Sequence, residues 1–96
     1  MSEPQWERIQ NGGRERWNLV EWVPYRYSQG TDKYRHVIGY IIKTKNKRKC
    51  KDWLVRYAEV RHADLHPITL ATLKQLSAVE AKAVARMLLI AQRSEV

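Results

Sequence analysis

A chain of 96 residues with a formal net charge of +8 is long enough for one domain with a modest hydrophobic core and too short for two. Its single cysteine, Cys50, excludes an internal disulfide framework and fits a reducing compartment. The polar start MSEPQWERIQ has no apolar export segment, and the longest purely apolar run, Met87 to Ala91, is far too short to span a bilayer, so a cytoplasmic protein without membrane contact is predicted.

From Met1 to about Arg16 the residues are polar and include Gly12-Gly13, which predicts a flexible arm. Trp6 is the exception, because a large aromatic gains nothing there unless it docks, and docking back onto the domain is the simpler expectation. From Trp17 to about His62 the chain is rich in Trp, Tyr, Val and Ile, with breaks at Ser28-Gln29-Gly30 and near Asn46. This pattern predicts a three-stranded antiparallel meander over Trp17 to Tyr27, Tyr34 to Thr44 and Lys49 to Tyr57. Pro24 removes a ladder donor, so the first strand should lie at an edge or end there. In the third strand Trp53, Val55 and Tyr57 share one face, although Leu54, Ala58 and Arg61 would also align on a helix.

After His66-Pro67 the composition turns to Ala, Leu, Lys and Glu with no further Gly or Pro, which predicts helix from 67 to 93. Ser77-Ala78-Val79-Glu80 has the form of a capping box, so a short helix over Ile68 to Leu76 followed by a longer one to Gln92 competes with a single rod. Val84, Met87, Leu88, Leu89, Ile90 and Ala91 cover more than one stripe of that helix, and such a surface is buried by the sheet or by a partner. The expected fold class is α+β, a small antiparallel meander of about three strands followed by C-terminal helices.

Little in the chain suggests catalysis. His62 and His66 are four apart with Asp64 between them, but zinc needs three or four ligands and Pro67 disfavours helix at His66, so a polar connector is expected and no metal. Cys50 between Lys49 and Lys51 would have a depressed pKa if their charges stay close, yet no His or Asn motif accompanies it. The ten acids are scattered singly, whereas metal-assisted phosphoryl transfer needs clustered carboxylates. No Walker loop, dinucleotide fingerprint or nucleophile elbow occurs. A helix-turn-helix in TLATLKQLSAVEAKAVARML would lack polar side chains to read base edges. No cofactor is expected.

The charge itself is the strongest signal. Lys33 through Lys51 holds eight Lys or Arg and no acid, while the other ten basic residues are balanced by ten acids. Its densest part, KTKNKRKCK from Lys43 to Lys51, creates a positive potential that attracts phosphates or acidic protein surfaces. Three readings stay open. The lysines can simply keep a small protein soluble. Lys45, Lys47, Arg48 and Lys49 can neutralise nucleic-acid phosphates while Tyr34, Tyr40 or Trp53 stack on bases. Or Lys43, Lys45, Lys47, Arg48, Lys49 and Lys51, with Trp53, can dock on an acidic groove of another protein. His66-Pro67 likewise reads either as a helix start or as a prolyl-isomerase contact.

Taken together, MSEPQWERIQNGGRERW, KTKNKRKCKDW and HPITLATLKQL resemble the anti-RecBCD proteins of lambdoid phages, of the recombination-accessory type, over essentially the whole chain. The resemblance implies a non-catalytic protein of the host cytoplasm that binds the host RecBCD helicase-nuclease through its RecC subunit. Binding would inhibit or modify that enzyme, protecting linear phage DNA and assisting phage recombination. It also implies that a host cyclophilin-type prolyl isomerase joins through a proline, for which Pro67 is the candidate. The rival from another class is a basic DNA-binding or recombination accessory protein, and a third is an oligomeric adaptor packed through Met87, Leu88 and Ile90.

Overall fold

Alternating large apolar residues build the centre of a sheet. In the computed structural model, which describes residues 3–11, 13–25, 32–59 and 66–94, the strands are β1 (Gln5–Asn11), β2 (Arg14–Pro24), β3 (Lys33–Lys43), β4 (Trp53–Tyr57) and β5 (Ile68–Leu73), followed by one helix, α1 (Ala78–Ser94). All neighbours are antiparallel in the order β1-β2-β3-β4-β5. Among the described residues the fold is therefore α+β, as expected, with five strands where about three were predicted and one helix where one long rod or a short helix and a longer one were. Among the described residues no helix is long and apolar enough to cross a membrane.

The three predicted strands correspond to β2, β3 and β4, with Pro24 ending β2. The helical alternative through Leu54 and Ala58 gives way to β4, whose burial alternates residue by residue, while its Arg61 lies outside the described residues. Two corrections concern the ends. The stretch read as a flexible arm contains β1, which pairs with β2 from Gln5↔Val20 to Asn11↔Arg14. Its Trp6 packs against the core, and the Arg86 guanidinium holds the start of the chain by donating to the Pro4 carbonyl at 2.7 Å and to Glu3 Oε1 at 3.0 Å. The stretch Ile68 to Leu76, read as helix, is instead strand β5 and a turn. Pairing with the free edge of β4 outweighs the helix propensity of Leu70, Ala71 and Leu73, because tertiary context overrides a preference of a few tenths of a kcal/mol. Pro67 consequently precedes a strand and does not start a helix.

The register places Trp17 and Leu19, Gly39 and Ile41, and Trp53, Val55 and Tyr57 on one face. Helix α1 covers that face with Ala81, Ala85 and Leu89, all fully buried. The small alanines let the helix approach closely, and Gly39 makes room for it. A Cβ at Gly39 would lie 2.5 Å from a Leu89 methyl and 2.5 Å from the Arg56 carbonyl oxygen. The predicted capping box starts the helix: Ser77 N–H donates to Glu80 Oε1 at 3.1 Å and Glu80 N–H to Ser77 Oγ at 3.2 Å. These bonds hold the Glu80 carboxyl below the usual carboxylate range.

Of the two ways expected for covering the apolar surface of α1, the sheet supplies cover on one side only. One side packs on the sheet, while Val79 and Met87 are 73% and 75% exposed. On the opposite face of the sheet the Arg16 guanidinium lies 3.8 Å from the centre of the Tyr40 ring and donates to Asn18 Oδ1 at 2.9 Å.

Candidate anion-binding cleft

Strand pairing brings two segments together that are remote in sequence. Asn11 pairs with Arg14, so Gly13 beside them sits at one end of the sheet, and Arg16 opposite Ile42 puts the β3–β4 loop at the same end. The pair Lys43↔Trp53 closes that loop. Within it Thr44 N–H donates to Asp52 O at 3.0 Å and Cys50 N–H to Lys47 O at 3.0 Å. Gly13 has φ 110°, a conformation that L side chains rarely adopt, and a Cβ there would lie 2.5 Å from Asn46 Nδ2. Turn and loop thus touch at Gly13 and Asn46.

Between them lies a cleft of about 590 Å³ lined by six cations: Arg8, Arg14, Lys43, Lys45, Lys47 and Arg48. Among the described residues Glu15 is the one acid in its lining, and its charge is engaged by neighbours in the protein. The Trp17 indole N–H donates to Glu15 Oε2 at 2.8 Å, while Lys43 Nζ and Arg8 Nη2 lie 3.5 and 4.0 Å from Oε1. Burial pushes the Glu15 pKa up, but the indole hydrogen bond and the two cations outweigh it and the net displacement is downward. Lys43 is committed inward, since its ammonium also sits 5.6 Å from the centre of the Trp53 ring. Among the described residues, Arg14, Lys45, Lys47 and Arg48 make no ion pair.

The basic tract is therefore divided. Lys45, Lys47 and Arg48 face the cleft. Lys49 and Lys51 are exposed but do not line it, and the charge of Lys51 acts instead on Glu80 at the start of α1. Trp53, expected at a partner surface, is 1% exposed. Its indole N–H donates to Leu76 O at 3.0 Å, so this residue belongs to the core. The expected stacking aromatics are also displaced. Tyr40 is buried beneath Arg16, and Tyr34, though exposed, lies nine residues up β3 from Lys43, about 30 Å away at strand rise. There its ring meets Tyr25, with centroids 5.3 Å apart.

Cys50 is half-buried. The Thr44 hydroxyl at 3.5 Å is the main cause of its lowered pKa, with the Asp52 backbone second, and the flanking lysine charges invoked from the sequence are not the cause. His66 and Pro67 are both exposed ahead of β5, while His62 to Leu65 of the histidine motif lie outside the described residues.

Sequence reading missed a second charged cluster. Glu21, His36 and Glu59 present ligand atoms within 4.8 Å of one another, a spacing that invites a metal. The Arg93 guanidinium already bridges the carboxylates, donating to both oxygens of Glu21 and lying 3.2 Å from Glu59 Oε2. His36 Nε2 is 2.9 Å from the same Glu59 oxygen. The cluster fastens the end of α1 to the sheet, and no local motif could announce four residues so far apart in sequence.

Comparison of the chain with protein-family models, curated proteins and solved structures finds no match. The cleft and the outer face of α1 are thus read from their own chemistry.

Proposed function

We propose that the chain is a non-catalytic binding protein of a lambdoid phage that attaches to the host RecBCD helicase-nuclease in the host cytoplasm and inhibits or modifies it. The resemblance of MSEPQWERIQNGGRERW, KTKNKRKCKDW and HPITLATLKQL supplies the partner, with RecC as its contacting subunit. The observation that carries a protein-docking role is the outer face of α1. Val79, Ala83, Met87 and Ile90 are all exposed and fall within about 80° of arc at 100° per residue, on the side opposite Ala81, Ala85 and Leu89. Removing such a contiguous apolar face from water is favourable in proportion to its area, and exposed apolar patches of this kind mark interaction sites. Lys45, Lys47, Arg48, Lys49 and Lys51 add long-range attraction to an enzyme loaded with DNA. Exposed Pro67 is the position offered to a cyclophilin-type isomerase.

Capture of purified RecBCD by the immobilised chain, with both treated to remove nucleic acid, tests the reading. Val79→Asp with Met87→Asp should abolish capture and leave the helical circular dichroism unchanged, because both side chains already face water. No capture by the wild type overturns the host-enzyme reading. Equal capture by the variant overturns the docking face, and a concentration-dependent dimer that the variant loses assigns that face to a second copy.

A further inference from the structure

We propose that the cleft between the β1–β2 turn and the β3–β4 loop is a sequence-independent site for the phosphodiester backbone of DNA, with Arg14, Lys45, Lys47 and Arg48 as its phosphate contacts. The proposal does not depend on which enzyme the outer face of α1 meets.

Three observations carry it. The cations converge by folding: Arg8 and Arg14 come from one hairpin and Lys43 to Arg48 from another, so the cleft is a built feature and more than a run of solvated lysines. Its walls are braced where Asn46 meets Gly13 and by the bonds within the β3–β4 loop, so less order has to be imposed when a ligand enters. The acid in its lining, Glu15, is satisfied by Trp17, Lys43 and Arg8, and among the described residues Arg14, Lys45, Lys47 and Arg48 have no ion-pair partner.

The lining also selects between two anionic partners. An acidic protein surface would draw affinity beyond charge from buried Trp, Tyr or Arg anchors, whereas among the described residues the cleft is lined by no aromatic and its arginines, Arg8, Arg14 and Arg48, are exposed. A phosphate backbone needs only cationic donors and released counterions. Base stacking is ruled out as the recognition mode in the cleft, since Trp53 and Tyr40 are buried and Tyr34 lies at the far end of β3. Contacts confined to phosphates position a protein on DNA without reading sequence.

Fluorescence anisotropy with two labelled 20-base-pair duplexes of unrelated sequence, and the chain alone, is the test. Both duplexes should bind equally. Four phosphate contacts predict a slope of log affinity against log salt of about −3.6, a loss of about a hundredfold between 50 and 200 mM salt. Arg14→Gln with Lys47→Gln should reduce that slope by about two, whereas Lys33→Gln with Lys74→Gln, a pair of equal charge outside the cleft, should leave it unchanged. Both pairs keep exposed polar side chains, and a thermal melt checks that each variant folds. Equal effects of the two pairs would show that net charge alone acts and overturn the site. Absence of duplex binding at 50 mM salt would overturn it too, as would displacement of the duplex by poly-glutamate at equal charge, which would assign the cleft to acidic proteins.

Discussion

Arg93, in the last turn of α1, donates to both carboxylate oxygens of Glu21 on β2, a side chain that is only 4% exposed. This clasp joins the end of the helix to the sheet, and it shifts both partners. The guanidinium hydrogen bonds hold the Glu21 carboxyl below its ordinary 4.5, and the Arg93 pKa is raised by Glu21 in turn.

The clasp predicts a defined loss of stability in acid. A carboxyl whose folded pKa is depressed stabilises fully above its unfolded value and loses that contribution as pH falls through the folded value. Urea melts should therefore be flat in this term above pH 4.5 and weaken below it. Arg93→Met should cost about 3 kcal/mol at neutral pH by leaving Glu21 buried and unpaired, and Glu21→Gln in the same chain should recover much of it. A double variant as unstable as the sum of the singles would show that the two residues do not act as a pair.

Gly39 sets the distance between α1 and the sheet. Gly39→Ala places a methyl against both Leu89 and the Arg56 carbonyl, and overpacking of this kind costs about 1 to 3 kcal/mol. Leu89→Ala in the same chain relieves only the side-chain contact. Leu89→Ala alone opens a cavity in the core and costs about 2 to 5 kcal/mol, so thermal melts should show the double variant less destabilised than the sum of the two singles, and an unaltered melting temperature for Gly39→Ala would contradict the packing described.

The helix start is a separate test. Ser77→Ala removes the acceptor of the Glu80 N–H, and loss of such a cap costs about 1 kcal/mol. Ser77→Asp should restore most of it, as measured by denaturant midpoints, because aspartate caps as well as serine does.

Pro67 can be separated from the fold. Its ring is exposed and no helix begins there, so Pro67→Ala should preserve the circular dichroism spectrum while capture of a cyclophilin-type isomerase is lost. Equal capture of both forms would show that Pro67 is not the contact, and capture of neither would overturn the isomerase reading.

The legible parts of the fold were those where one residue pattern had one outcome. Val37, Ile38, Ile41 and Ile42 marked β3, the alternation of Trp53, Val55 and Tyr57 marked β4, and Ser77 with Glu80 marked the helix start. Strand β1 was hidden because an edge strand buries only part of one face, and Glu7, Arg8 and Gln10 read as a solvated arm. Strand β5 was hidden because Leu70, Ala71 and Leu73 favour helix until the edge of β4 is offered to them. The basic tract was plain, but its partners Arg8 and Arg14 depend on strand register, which nothing local encodes. Trp53 was misplaced for a related reason: alternation separates two faces without saying which one the helix will cover.

The central claim, action on the host helicase-nuclease through binding, is tested most directly by degradation of linear duplex DNA by purified RecBCD in the presence of the Arg14→Gln, Lys47→Gln chain, which keeps the outer face of α1 while its shielding of DNA is weakened. The account predicts that degradation is slowed or its products altered, with the effect saturating near equimolar protein and enzyme, and that adding Val79→Asp and Met87→Asp abolishes it. Degradation with unchanged rate and products at saturating protein would contradict it.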